Sequence, residues 1–420
     1  MRGISQVQST IFSVRTVFFV VVILTACVVI LQLGRLHLSI RGKKEAWNWK
    51  SILRKAAPKV FPWKPIKVTE VDCSKVFSGD KTELRKAVQR ENGTSQDYVG
   101  MNNSEVLRLA RTCDQLKRER TFINSSLTEE ESNFPLAYSI MVYKAADQVL
   151  NLLSAIYRPQ NVYCVHVDKK AQKSFRFAME AIADCFPNVF LASRSVDVRW
   201  GKFSVLKPEL VCMQDLWNYT HWKYFINLTG QEFPLKTNYE LVKILTAYNG
   251  ANDVIVDPRT WKGSVHVAVN RDFVDFVLHS PVSRDFLEWC KRTHIPDETF
   301  FPTLNRNSQL GIRGEEPWND SIAHLNMIRY KNWGQFECAG NLYVRNICII
   351  TVGDLPFLER RSYLFANKFY SRYSRLALGC LAERLYNRTK QEYLGLLDFN
   401  ATFYRELPFV QNALRNTVIF

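Results

Sequence analysis

No Asp-x-Asp occurs anywhere in the 420 residues, so the carboxylate pair that would carry a divalent ion onto a diphosphate is missing. Gly-x-Gly-x-x-Gly and Gly-x4-Gly-Lys-Ser/Thr are absent as well, which supports neither a dinucleotide fingerprint nor a P-loop. Lack of a Gly-x-Ser-x-Gly elbow disfavours a serine hydrolase, and lack of His-Glu-x-x-His a zinc protease. The ten cysteines contain no Cys-x-x-Cys pair, which argues against a zinc ribbon. There is no internal repeat, no low-complexity stretch, and only one long apolar run.

What is present is ordinary in bulk. Charged content of 23% and hydrophobic content of 47% are those of a globular chain, and the length suffices for one large core or two modest ones. The net charge of +16 raises the question of nucleic acid. Much of it is dispersed or lies at 35–67, so a basic stem and an anionic substrate explain it, and no nucleic-acid partner is expected.

Residues 17–33 are almost wholly apolar, between Arg15 and Arg35. A run of about 17–19 residues can just span a bilayer. The exit is not Ala-x-Ala-like, so the segment reads as a retained signal-anchor and not a cleaved signal peptide. Flanking charge leans the other way for a lumenal C-terminal part, since Arg35, Arg41, Lys43 and Lys44 outnumber Arg2 and Arg15. Sequons speak for the lumen: Asn92, Asn102, Asn124, Asn218, Asn227, Asn319, Asn387 and Asn400 all follow the run. Asn227 lies in an apolar stretch and is expected to be too buried for a glycan. Cys27 is in the run and nine spread cysteines follow it, the usage of an oxidising compartment. These features predict a single-pass type II protein, bound to its membrane by one transmembrane helix.

Along the chain, the expected division is a cytoplasmic tail at 1–15, an anchor at 16–34 and a lumenal stem at 35–70. A polar region at 71–133 with a short helix near 105–116, a catalytic core at 134–385 and a weakly patterned tail at 386–420 follow. From residue 134 strands and helices alternate. Residues 137–143 and 161–167 are apolar strands around a helix with Val149, Leu152, Leu153 and Ile156 at i, i+3, i+4 and i+7. Helices are expected near 171–184, 205–217 and 239–248, and strands at 189–192, 224–228 and 265–269, with a further strand over 342–350. This is an α/β chain with a mostly parallel sheet and a Rossmann-like nucleotide-binding half.

Four positions carry candidate chemistry. Asp168 ends a strand at the edge where nucleotides bind in open α/β sheets, although such an acid also serves as a helix cap. Glu298, in Pro296-Asp297-Glu298 before an aromatic pair, is a candidate general base if an apolar rim raises its pKa. The alternative is that Pro-Asp-Glu only caps the next helix. Arg345, in a strand-like run, and Lys368, apolar on both sides, are cations suited to a diphosphate, or else ordinary salt-bridge partners.

At these residues the chain resembles the core 2/I-branching β-1,6-N-acetylglucosaminyltransferases, Golgi enzymes acting on mucin-type and related glycans. The stretches AYSIMVY, YRPQNVYCVHVD, ASRSVDVRWGKFS, KYFINLTGQEFPLKTNYELV, WKGS, PDE, YVRNIC, GDL and LFANKF carry the likeness, in that order. The resemblance implies a GT-A-like glycosyltransferase fold, an inverting mechanism, a UDP-sugar donor, an O-glycan acceptor and independence from metal or other cofactor. It implies Glu298 as catalytic base, Arg345 and Lys368 as the cations on the UDP diphosphate, Asp168 as a nucleoside-binding acid and Trp200 as a donor-site aromatic. It implies the bridges Cys73–Cys380, Cys113–Cys185, Cys164–Cys212 and Cys338–Cys348, leaving Cys290 as the spare thiol. The departure is at 248–261, much shorter here than in the branching enzymes, which removes the acceptor-contacting insert. N-acetylglucosamine is the donor sugar implied, with glucose or xylose as alternatives, and a catalytically inactive, lectin-like protein of the same fold is the rival reading.

Overall fold

The strands run, in chain order, β1 (Leu136–Val142), β2 (Val162–Val167), β3 (Val189–Leu191), β4 (Tyr224–Thr229), β5 (Glu232–Pro234), β6 (Asp253–Val256), β7 (Gly263–Asn270), β8 (Arg329–Tyr330), β9 (Tyr343–Val344), β10 (Ile347–Cys348) and β11 (Phe365–Asn367). The computed structural model describes residues 60–94, 100–256, 262–316 and 326–416. The expected cytoplasmic tail and anchor, the stem as far as residue 59, Cys27, Trp261 and the sequon at Asn319 lie outside these residues. Among the described residues, no helix is long and apolar enough to cross a membrane.

Six strands form the central sheet in the order β3-β2-β1-β4-β7-β6. The first four are parallel, β7 runs antiparallel to β4, and β6 runs antiparallel to β7. β1 and β2 are buried almost throughout because both faces are covered, which is why their sequences run apolar instead of alternating. Tyr138, Ile140 and Val142 of β1 share one core with the helix Ala146–Ile156. Ala137 of β1 and Val162 and Cys164 of β2 share the other with the helix Lys207–Trp217. That second helix takes Pro208 in its first turn, where no amide hydrogen bond is lost. The helix Asn238–Tyr248 starts on a capping box in which Thr237 and Glu240 each satisfy a backbone amide. Beyond the C-terminal end of β4 stands a smaller sheet, β5-β11-β8.

Four expectations are corrected. The stem does not extend to residue 70. Phe61 packs on Tyr386 and Tyr393, the Tyr386 hydroxyl donates to the Trp63 carbonyl, and the Val68 amide donates to Glu383, so residues 60–70 belong to the folded unit. The catalytic part does not end at 385, because the helix Arg375–Tyr393 runs through that boundary. Tyr404, Leu407, Phe409, Val410 and Ala413 then enter the main core. The pattern there looked weak because polar residues are buried too: Thr237 donates its hydroxyl to Glu392 of this helix. The single helix near 105–116 is two, Asn103–Ala110 and Cys113–Glu119. Residues 342–350 form the β9–β10 hairpin in place of one strand.

All four bridges implied by the resemblance are formed, at Cα separations of 5.2, 5.1, 5.6 and 5.8 Å, and Cys290 is a buried free thiol. Of the sequons, Asn92, Asn102, Asn124, Asn218, Asn387 and Asn400 are exposed. Asn227 is 1% exposed, its Nδ2 donating to the Val265 carbonyl and its Oδ1 accepting from the Val267 amide. Both ends of that amide are therefore used inside the sheet. Glycopeptide mapping of protein secreted from animal cells is expected to find glycans among the exposed sites and none at Asn227. A glycan at Asn227 would contradict the packing of β4 against β7.

Candidate active site

The site is built where strands end. Past β1 and β2 a cavity of about 360 Å³ is lined by Tyr143, Lys144, Asp168, Lys170 and Phe175. Asp168 does not cap the following helix, Lys173–Ala183, whose first turn has no side-chain cap. Instead its Oδ1 accepts from the Lys170 amide at 2.8 Å, and the Lys170 ammonium bridges Asp168 and Asp197 at 3.2 and 2.6 Å. His166 Nε2 accepts from the Val196 amide, which requires a neutral ring; burial, foremost, pushes its pKa down to about 4. These bonds tie the 193–202 loop to the end of β2. Trp200, on that loop, is 65% exposed and does not line this cavity. Its ring meets His294 edge-on at 5.8 Å, on the side of the cleft that holds Glu298. A larger cavity of about 900 Å³, beside Phe134, Phe399 and Asn400, touches none of the candidate residues.

Glu298 ends the 3₁₀ turn Pro296–Glu298. The next helix, Phe300–Arg306, has no side-chain cap, so the carboxylates of Pro-Asp-Glu do not serve as helix caps. Asp297 is buried, its Oδ1 has no partner among the described residues, and burial pushes its pKa up to about 6. Glu298 is half-buried, and its carboxylate makes no hydrogen bond or ion pair among the described residues. Burial raises its pKa, against the charges of Lys331, Lys262 and His294.

The cations come from the small sheet and the hairpin beside it. Lys368 follows β11 directly. Its carbonyl accepts from the Ile350 amide, the next amide donates to Gln231, and buried Gln148 grips the Gly230 and Phe369 carbonyls. The side chain is 8% exposed. Burial and then the charge of Arg345 lower its pKa, and Glu232 works against both. Arg345 is not within a strand as the sequence suggested. It sits exposed at the tip of the β9–β10 hairpin, with φ of 51° followed by 61° at Asn346, the two positive values of a two-residue hairpin turn. The Cys338–Cys348 bridge and the Cys348 amide, donating to Asn332, fix the hairpin against β8. Arg345 and Lys368 are thus brought together, one on the rim and one inside.

Sequence reasoning missed Glu232, Lys331 and Lys144. Glu232 is fully buried: it accepts from the Thr229 amide and Asn367 Nδ2 at 2.9 Å each, and pairs with Arg329 at 3.2 Å. His266 lies 3.5 Å away, held neutral by burial and by the charges of Lys331, Arg329 and Lys368. Lys331 follows β8 as Lys368 follows β11, in adjacent parallel strands. Its ammonium has no hydrogen-bond or ion-pair partner among the described residues, and lies 5.7 Å from the Trp333 ring centre. Burial, foremost, lowers its pKa to about 8. Lys144 lies over Tyr143 and Tyr370 between this cluster and the Asp168 cavity. The only sequence signal was two cations around one aromatic in Arg329-Tyr330-Lys331.

Residues 136–260 and 256–358 match the Core-2/I-Branching enzyme family. The chain belongs to that family. Among relatives, a human β-1,3-galactosyl-O-glycosyl-glycoprotein β-1,6-N-acetylglucosaminyltransferase 3 is 33% identical over 362 residues, 75% of this chain and 82% of its own length. A cattle (Bos taurus) β-1,3-galactosyl-O-glycosyl-glycoprotein β-1,6-N-acetylglucosaminyltransferase is 32% identical over 373 residues, 76% and 85% of the two chains. A zebrafish (Danio rerio) enzyme of the same name, numbered 4, is 31% identical over 380 residues, 79% and 87%. This core-2/I-branching enzyme is a glycosyltransferase. Among its described residues, no group of three or more His, Cys, Asp or Glu is disposed to hold a metal ion.

In this core-2/I-branching enzyme the cation cluster hangs on Glu232. Replacing it with Ala leaves Arg329 buried without its partner, and such a loss costs about 3–5 kcal/mol. Urea denaturation of Glu232→Ala is expected to show that loss as a lowered midpoint. An unchanged midpoint would mean that Arg329 is neutralised elsewhere.

Proposed function

We propose that this enzyme, with a GT-A-like fold, transfers a sugar from a UDP-sugar to a hydroxyl of a galactose- or N-acetylgalactosamine-containing O-glycan, with inversion, forming a β-1,6 branch. N-acetylglucosamine is the donor sugar we favour, on the names of the relatives, with glucose and xylose as the alternatives to be screened. We further propose a Golgi location, with the catalytic part lumenal behind the apolar run at 17–33, and a reaction that needs no metal. The observation that carries the reading is one edge of the site holding a carboxylate, Glu298, and cations, Lys368 and Lys331, none of which has an ion-pair partner among the described residues. Such an edge is what an acid-releasing acceptor and a departing polyanion need on opposite sides of a transferred sugar.

In this mechanism the uridine enters the Asp168 cavity and the diphosphate meets Lys368 and Arg345. Glu298 takes the proton of the acceptor hydroxyl as its oxygen attacks the anomeric carbon from the face opposite the leaving group. The bond to the diphosphate breaks as the new glycosidic bond forms, so the configuration inverts. Negative charge grows on the diphosphate, and fixed cations in a desolvated site stabilise that growth without reorganising. A lectin-like protein would gain nothing from a burial-raised carboxylate without a partner among the described residues, beside the buried Lys368 and the partly buried Lys331, since each of these costs stability.

Steady-state kinetics on the purified lumenal part would test the roles. Arg345→Ala and Lys368→Ala are each expected to lower kcat/KM by about 10²–10³-fold, the usual loss for one transition-state donor. Glu298→Gln is expected to abolish transfer while leaving UDP affinity near that of the parent. Transfer retained in Glu298→Gln would remove it as the base.

A further inference from the structure

The cavity of about 900 Å³ lies at the opposite end of the large sheet from the active site. Phe134, in its lining, stands just ahead of β1, whereas Asp168 follows the far end of the parallel strand β2. One wall is the helix Asn238–Tyr248, with Thr246 exposed on it, and another is the segment 398–405. Phe134 and Phe399 supply two half-buried rings. Around them stand two acids, Glu130 and Asp398, and two cations, Lys243 and Arg405, so the charges of the lining balance. Glu130 and Lys243 pair at 2.9 Å, Asp398 accepts from the Tyr239 hydroxyl, and the Arg405 guanidinium makes no hydrogen bond or ion pair among the described residues. Apolar ring faces among balanced donors and acceptors suit a neutral, hydroxyl-rich ligand better than a phosphate. Phe134 and the segment 398–405 both lie outside 136–358, so the cavity is built largely from parts of the chain beyond the family match.

The lining also contains Asn400, the acceptor asparagine of the sequon Asn400-Ala401-Thr402. Its Oδ1 accepts from the Thr402 amide at 2.8 Å, while its Nδ2 has no hydrogen-bond partner among the described residues. We propose that this cavity is the seat of an N-linked glycan on Asn400, whose first sugar rings lie against Phe134 and Phe399 and hydrogen-bond to the polar groups around them. This rests on the lumenal placement proposed above. The glycan comes from a lipid-diphosphate-linked oligosaccharide: Nδ2 bonds to the anomeric carbon, the bond from that carbon to the diphosphate breaks, and Nδ2 gives up one proton. Tethering explains why an open cavity suffices. A group held on a short linker meets its site at an effective concentration on the order of millimolar, so contacts too weak to retain a free sugar still hold an attached one. Seated there, the glycan covers the two rings and spans from the C-terminal segment to the helix Asn238–Tyr248.

The test is the rate at which a peptide N-glycosidase removes each glycan from the native full-length protein made in animal cells, followed by glycopeptide mapping. A glycan seated about nine-tenths of the time is released about 10-fold more slowly than one free in solvent. The Asn400 glycan is expected to show that delay relative to the glycans at exposed sites such as Asn124 and Asn218, and to lose it once the protein is denatured. Thr402→Ala keeps Asn400 and the amide it binds but deletes the sequon, and is expected to remove the slow fraction. Thr246→Arg fills the cavity from an exposed helix position without touching the sequon, and is expected to make the Asn400 glycan as fast as the others. Thr246→Ala leaves the cavity open and is expected to keep the delay, with thermal denaturation showing that both Thr246 variants are folded. Release from Asn400 as fast as elsewhere in the parent, or a delay that persists in Thr246→Arg, would overturn the proposal, since the glycan would then stand in solvent or be shielded by something else. The two readings fail separately. Glycans at other sequons with none at Asn400 would sink this inference alone; a protein with no glycan anywhere would remove the lumenal placement with it.

Discussion

A carboxylate with no exposed surface, Glu232, sits three residues past the end of β4, where the large parallel sheet gives way to the small one. A buried charge persists only when paired and hydrogen-bonded, and Glu232 is held by Arg329, by Asn367 and by the backbone of its own turn. Those partners come from β8, β11 and the β4–β5 turn, so one charge fixes the mutual position of three segments. The two residues that leave β8 and β11, Lys331 and Lys368, then have their ammonium groups set in the field of that carboxylate. Without it they would be unbalanced cations in a desolvated cleft.

The arrangement is unfavourable for stability and useful for chemistry. Lys368 feels the charge of Arg345 and Lys331 that of Lys368, and Glu298 forms no ion pair with any of them. A chain selected only to fold would pair or bury these groups differently. In the proposed mechanism the diphosphate leaving group brings the missing negative charge. The large unrelated cavity near Asn400, for all its volume, offers no such imbalance.

The large sheet was legible in the sequence because β1, β2 and the helix Ala146–Ile156 are apolar in unbroken local patterns. Asp168 and Glu298 were legible through their place after a strand and in a short motif. Arg345 was recognised but misplaced: the apolar run around it hid a two-residue turn, which needs positive φ at Arg345 and Asn346 and leaves no clear local signature with that pair. The C-terminal helices were passed over because Thr389 and Glu392 are buried polar residues that dilute the helical period. Glu232 and Lys331 were invisible for a deeper reason. Their meaning comes from the register between β5, β11 and β8, strands of two or three residues that pair Phe365 with Pro234 and with Arg329 from distant parts of the chain, and no local pattern encodes such pairing.

The central claim is that the protein's own cations, organised by Glu232, do the work that a divalent ion does elsewhere. Isothermal titration of the purified protein with UDP and with uridine, both in excess EDTA, measures it directly. The account predicts that UDP binds far more tightly than uridine with no divalent ion present, and that adding Mn²⁺ changes little. UDP that binds no better than uridine until Mn²⁺ is supplied would contradict it.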